Sequence, residues 1–244
     1  MKFPEAARLQ KIVLPVSFLL LLSGCVESKV EQREAIVPDL SQEKSSSKID
    51  FEAFEKGLEG TWMLDCGLTD SQKVIWTFDG ERFQQHIKIY LEKGCPESSI
   101  AAEYKAGGYY HFGKMMVNQS DAVEFDYVQE SYSLTIRHSV YLNAYNGTRE
   151  YGHLQAYCKG FKFERNVETS LVGKHCLEGD NDYQKIHANS VFYSALRLEQ
   201  GTMYEARYTA LNDGTAPNKR PLGFNLSVGY QKQSEPGQLT LSRL

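Results

Sequence analysis

The chain has 244 residues, 41% of them apolar and 24% charged, which is ordinary globular usage for one sizeable domain or two small ones. The formal net charge is −4; the first 24 residues carry a net +2 (Lys2, Arg8 and Lys11 against Glu5), which leaves −6 on the remainder. An acidic body lacks the clustered cations that nucleic-acid phosphates require. No second apolar run of about 18 residues or more follows the N-terminal one, so no later helix is expected to span a membrane.

The N-terminus reads as an address. Residues 1–8 are short and basic, and residues 12–22 (IVLPVSFLLLL) are apolar without interruption. That run is too short for a comfortable transmembrane helix and fits the core of a signal peptide. Leu22, Ser23, Gly24 and Cys25 follow. This tetrad resembles the lipobox of bacterial lipoproteins. The resemblance implies cleavage after Gly24, a diacylglycerol on the Cys25 sulfur and an acylated new amino group, which together make anchoring stable. Val26 stands where Asp would mean inner-membrane retention in many Gram-negative bacteria, so the implied location is the outer membrane, facing the periplasm or the cell surface. The alternative is an ordinary signal peptide with a chance cysteine, and Glu5 is a departure from the usual acid-free start.

Residues 26–48 contain no aromatic residue and are rich in Glu, Ser, Lys and Gln. Such a segment cannot bury enough apolar surface to offset its ordering entropy. It is expected to be a flexible tether holding the body about 25–30 Å from the lipid, with an amphipathic helix over 30–36 as the alternative. The expected division is therefore signal peptide 1–24, tether 25–49, body 50–233 and a flexible tail 234–244.

The body opens with a helical pattern over 50–58: Asp50 can cap it, Phe51, Phe54 and Leu58 share a face, and Gly57 or Gly60 can end it. The period then switches to two. Val74, Trp76 and Phe78 alternate with Ile75 and Thr77, and Ile87, Ile89 and Leu91 with their neighbours. Val123, Phe125 and Tyr127, then Leu134 and Ile136, then Phe224, Leu226, Val228 and Tyr230 do the same. Further strands are expected over 109–112, 115–118, 151–163, 191–198 and 202–209. Asp79-Gly80 reads as a tight hairpin, and Gly107-Gly108, Gly113, Asn146-Gly147 and Gly201 read as turns. With 15 Tyr, 12 Phe and 2 Trp, the composition suits pleated surfaces. About eight short antiparallel strands give a barrel or a sandwich. A barrel is preferred because closure removes exposed edges. A division into two small units near Asn166 is the alternative to one domain.

Residues 51–64 (FEAFEKGLEGTWML) resemble the start of a lipocalin, in which a short helix leads into the first strand through Gly-x-Trp, here Gly60, Thr61 and Trp62. The resemblance implies a helix closing one barrel end and Trp62 packed on the barrel floor. The family's Thr-Asp-Tyr motif is missing; Phe125-Asp126-Tyr127 is a partial echo, and no closing Arg is assigned.

Beyond Cys25, the even set Cys66, Cys95, Cys158 and Cys176 fits an oxidising compartment. Three pairings are open. Cys66–Cys95 and Cys158–Cys176 are favoured, because each closes a local loop, at about 3 kcal/mol apiece. Zinc would want close Cys pairs, which are absent, so no metal and no cofactor are implied.

Sites for chemistry are sparse. The six His are scattered, with no pair at helical metal spacing. His86 and His138 fall on expected strands as ordinary surface or satisfied residues. The acidic loop 178–182 lacks calcium-loop spacing. Asp65 and Asp70 near the first strand do not make a glycosidase pair. No nucleophile elbow, phosphate loop or dinucleotide fingerprint occurs, so no enzyme activity is expected. Lys219-Arg220 sits in a polar loop, 212–221, expected to be a solvated connection at the barrel mouth.

The expected fold is an all-β antiparallel barrel of about eight strands with a short N-terminal helix. The expected function is an envelope-anchored lipoprotein binding a small apolar ligand in the barrel, with Trp62, Trp76, Phe78, Phe125, Tyr127 and Phe224 as candidate lining residues. The alternative is a structural or protein-interaction lipoprotein whose barrel is filled by its own side chains.

Overall fold

The structure, a computed structural model, describes residues 51–67, 71–115, 122–147, 155–178, 182–209, 211–221 and 223–234. The lipobox with Cys25, the tether, Asp50, Asp70 and the acidic-loop positions 179–181 lie outside the described residues. So do parts of the strands expected over 115–118 and 151–163.

Helix α1 (Phe51–Leu58) forms where the pattern asks for it. Phe54 and Leu58, four residues apart, bury the same face, and Glu52 and Lys56 suit the positive and negative ends of the helix. Strands β1 (Gly60–Leu64), β2 (Gln72–Asp79), β3 (Arg82–Tyr90), β4 (Ile100–Met115) and β5 (Ala122–Ile136) then run as an antiparallel meander. After an excursion come β9 (Ser190–Glu199), β10 (Thr202–Glu205) and β11 (Tyr230–Lys232). β9 pairs with β5, β10 with β9, β11 with β10, and β11 returns to β1. The result is a closed antiparallel barrel of eight strands, as the sequence leads one to expect. Because its last three strands follow residue 189, the barrel spans the Asn166 position proposed as an alternative boundary.

The excursion between β5 and β9 carries α2 (Ser139–Tyr145), β6 (Glu168–Ser170) and the hairpin β7 (His175–Glu178) with β8 (Asp182–Lys185). β6 pairs with the last residues of β5, beside the stretch that β9 occupies. Tyr141, Tyr145, Tyr157, Phe163 and Leu171 are buried in it, around the Cys158–Cys176 disulfide. The Tyr145 hydroxyl meets that of Tyr104 from β4, and Tyr104 stacks on Tyr132 at 5.8 Å. The excursion therefore packs onto the innermost rings at one end of the barrel. At the other end α1 is the lid: Phe54 meets Phe112 edge-on at 5.3 Å. There the Trp62 Nε1–H donates to the Leu58 carbonyl at 2.6 Å. Lys232 Nζ donates to the Gly57 carbonyl at 2.8 Å and lies 5.3 Å from the Trp62 ring centre. Lys232, on the last strand, thus sets a cation over this ring.

The structure corrects several element expectations. Gly107-Gly108 and Gly113 are not turns but interior positions of the 16-residue β4. The register slips at Gly107/Gly108, where Glu130 of β5 is the extra residue. This bulge changes which parity faces inward, from Phe125 and Tyr127 to Tyr132, Leu134 and Ile136. A single strand thus reads in sequence as two. Gly108 is required because a Cβ there would collide with the Val128 carbonyl across the bulge. The first hairpin loop is Gly80-Glu81, one residue later than expected, since Asp79 pairs with Arg82. The alternation over 224–230 is mostly not a strand. The Asn225 side chain accepts from the Ser227 amide at 3.2 Å, the Asn225 carbonyl accepts from the Val228 amide, and Leu226 and Val228 are exposed. His138 is not on a strand; its Nδ1 accepts the Val140 amide as the cap of α2.

Gly108→Ala is expected to lower the denaturant midpoint, at a cost of about 2–3 kcal/mol. Gly223→Ala, where a Cβ meets nothing within 4 Å, is expected to leave it unchanged. Equilibrium unfolding of the two variants checks this.

Candidate functional site

Five of the six candidate aromatics converge. Trp62, Trp76, Phe78, Phe125 and Tyr127 all face the barrel interior and are buried. They do not line an open chamber but pack on one another. Trp76 lies 5.7 Å from Phe78, 5.5 Å from Phe83, 6.2 Å from Phe125 and 5.9 Å from Tyr127. Phe125 continues the chain of rings to Tyr110 at 5.6 Å and Phe112 at 6.1 Å. Most of these contacts are tilted or edge-on, the arrangements that ring quadrupoles favour. Phe224 stands apart. It forms an isolated bridge with Ala206 and lines a shallow outer cleft of about 320 Å³ with Arg207, Thr209 and Asn212. Its alternation with Leu226 and Val228, which suggested an inward strand, belongs to a turn.

A second cleft, of about 220 Å³, lies where the excursion meets the barrel. Tyr157, Ile186, Val191 and Phe192 supply apolar walls, and Gln129, Gln184, His187 and Thr215 supply polar groups. Phe192 stacks on Tyr127 at 5.1 Å, so the floor of this cleft is the outer ring layer of the packed interior.

The disulfides are Cys66–Cys95 and Cys158–Cys176, the pairing favoured from the sequence. The first ties the end of β1 to the segment after β3, and the second holds the excursion together. Among the described residues, no group of three or more His, Cys, Asp or Glu could hold a metal ion.

Two charged features escaped sequence reading. Arg220, expected in a solvated loop, is only 7% exposed. Its Nη1 contacts Asp126 and donates to the Ser194 carbonyl at 2.5 Å, its Nη2 lies 3.6 Å from Glu124, and it sits 5.6 Å from the Tyr193 ring centre. Burial pushes the Asp126 carboxyl above its ordinary value, against the downward pull of Arg220. Arg220 thereby pins the 206–221 connection to the outside of β5 and β9. His86 pairs with Glu103 at 2.9 Å, and Glu103 also accepts from Arg137 Nε at 2.6 Å. Burial still holds the imidazole below its usual pKa, against the upward pull of Glu103.

The second feature is inside. Met203 and Glu205 share the inward parity of β10, and Glu205 pairs with Leu196 of β9. Glu205 Oε2 accepts a long 3.4 Å bond from the Tyr230 hydroxyl. Ser194, Tyr208 and Trp76 bring further buried polar atoms to this region, where Tyr208 interacts with Ser194 and Tyr127 and Tyr230 interacts with Trp76. Burial pushes the Glu205 carboxyl up to about 7, and the Tyr230 hydrogen bond opposes that only in part. The signal available in sequence is an acid two residues from Met203 in a run of strand character.

No protein-family model matches the chain, and no curated protein matches its sequence.

A carboxyl whose folded pKa is raised stabilises the fold fully below its ordinary value near 4.5, and that contribution is lost as pH rises through about 7. Discounted for partial exposure, the loss is of the order of 2 kcal/mol. Stability is thus expected to fall between about pH 5 and pH 8 in the native chain, and Glu205→Gln is expected to flatten this dependence. Denaturant melts across that range check it.

Proposed function

We propose that this chain is a lipid-anchored envelope protein whose barrel is a scaffold filled by its own side chains and whose exposed end serves protein interaction. The observation that carries this reading is the continuous ring packing from Phe54 through Phe112, Phe125 and Trp76 to Tyr127 and Phe192. It occupies the space that a ligand chamber would need. The anchor rests on Leu22-Ser23-Gly24-Cys25, and Val26 favours the outer membrane. Two disulfides agree with an oxidising space on the outer side of a membrane. The tether joins the fold at α1, so the end carrying the excursion and the 206–221 connection is the one directed away from the lipid.

A second reading keeps a small apolar ligand. The 220 Å³ cleft, with walls from Tyr157, Ile186, Val191 and Phe192, favours it, and moves the ligand from the barrel interior to its rim.

Cys25→Ser is expected to move the protein from the membrane to the soluble fraction of the envelope, and mass spectrometry of the native chain should find two or three acyl chains on residue 25. A fluorescent fatty-acid probe is expected not to bind the purified protein saturably. An unacylated native N-terminus contradicts the anchor. Saturable probe binding contradicts the filled barrel; if Ile186→Trp abolishes it, the rim-cleft reading takes its place.

A further inference from the structure

Building on the rim-cleft reading above, we propose that this cleft is a binding site for a small monocarboxylate with a compact apolar body. The cleft, of about 220 Å³, lies where the inward rows of two strands reach the barrel end. Gln129 follows Phe125 and Tyr127 on the inward row of β5. Ser190 of β9 stands opposite Gln129, and Phe192 opposite Tyr127. The excursion supplies the facing wall through Tyr157, Cys176 and Ile186. That wall is held in place. Cys176 is tied to Cys158, the Leu177 amide donates to the Tyr157 carbonyl at 2.7 Å, and the Ile186 amide donates to the Lys174 carbonyl at 2.9 Å. A turn over 187–190 forms one lip: the Ser190 hydroxyl donates to the His187 carbonyl at 3.0 Å, and Asn189 takes a left-handed φ of 60°. A shape fixed in this way costs little ordering when a guest arrives.

Two features give the cleft its chemistry. Gln129 is only 7% exposed. Its carbonyl accepts the Asn189 amide at 2.9 Å, but its side-chain amide bonds to no described residue and borders the cleft. Buried amides are rarely left so. This one has two N–H donors and an acceptor oxygen to offer. Secondly, the charge around the cleft has one sign. No Asp or Glu is among its described lining residues, whereas Lys185 lines it, is exposed, and forms no ion pair with a described residue. The acid nearest in sequence to the lining residue Thr215 is Asp213, and it is engaged: it accepts from the Thr215 hydroxyl at 2.6 Å and from Lys219 at 3.3 Å.

A small carboxylate meets both conditions. Its charge answers Lys185, and its oxygens accept from the Gln129 amide. Its body packs against Ile186, Val191 and Phe192. A cationic guest would find no counter-charge, and a purely apolar one would leave the Gln129 amide unsatisfied. Size sets the upper limit. Drug-sized ligands occupy clefts of about 300–1,000 Å³, so this one admits a single ring or a short branched chain and excludes a long acyl chain. The filled barrel stays as it is.

The test is calorimetric titration of the purified full chain with sodium benzoate at about pH 7, where the carboxylate is ionised. Sodium chloride and sodium acetate are the controls. The expected result is saturable binding of benzoate, none of chloride, and at least about tenfold weaker binding of acetate, which lacks the apolar body. Benzamide, the neutral analogue, should also bind about tenfold more weakly. Benzoate binding should weaken by about tenfold in Lys185→Gln and in Gln129→Leu. It should vanish in Ile186→Trp and persist in Lys93→Gln, between β3 and β4. Lys185 is exposed, so Lys185→Gln is expected to fold, and Gln129→Leu replaces an unbonded polar group by an apolar one of similar size. Benzamide binding as tight as that of benzoate, and lost in Ile186→Trp, overturns the carboxylate while the rim-cleft reading stands. No saturable binding of either compound overturns both. Benzoate binding unaltered in Lys185→Gln and Gln129→Leu overturns the proposal as well.

Discussion

The ring packing around Trp76 is the interaction on which the rest of the molecule depends. Its indole touches rings from β2, β3 and β5, and Phe78–Phe125 and Phe83–Tyr127 contacts reinforce the same junction across the barrel. A closed sheet must fill its own middle, because an apolar void forfeits the dispersion contacts on one side of every lining atom. Large planar side chains do this with few residues. Closure itself is thinly held: β11 contributes three residues and meets β1 at Trp62↔Lys232 and Met63↔Gln231. So short a seam is stable only because the interior behind it is solid and because Lys232 and the Trp62 indole both bond back to α1.

The filled middle determines where function can reside. With rings occupying the interior, two clefts stand out among the described residues: the rim cleft where the long excursion meets the barrel, and the outer cleft around Phe224 beside the start of the 206–221 connection. The excursion is fixed by the second disulfide and by the Tyr104–Tyr145 contact, while the buried Arg220 holds the 206–221 connection to the outer wall of β5 and β9. These are costly devices for mere connections, and they set these segments apart from the α1 end, which is a plain lid.

Much of this was legible in the sequence. Period-two alternation over 74–78 and 123–127 assigned Trp76, Phe78, Phe125 and Tyr127 to one face, and one face of a closed sheet is necessarily the interior. Local loop closure selected the cysteine pairs. What was not legible has specific causes. The bulge at Glu130 reverses parity within one strand, so a single β5 reads as two, and the glycines opposite it look like a turn when they are a site of close backbone approach. The Phe224–Tyr230 alternation is real, but an Asx turn at Asn225 overrides it. Arg220 sits in a stretch of polar residues, and nothing local distinguishes a buried Arg from a solvated one; its partners Asp126 and Glu124 lie almost a hundred residues away. Glu205 is hidden in sequence for the same reason: its inward parity follows from pairing with Leu196, which only the fold supplies.

Xenon pressurisation of crystals addresses the filled interior most directly, because xenon enters any dry apolar cavity of sufficient size. The native barrel is expected to take up no xenon between α1 and the Tyr104–Tyr132 pair. Trp76→Ala should create a xenon site there and lower stability by about 3–5 kcal/mol. Xenon, or a co-purified lipid, ordered inside the native barrel would contradict the account.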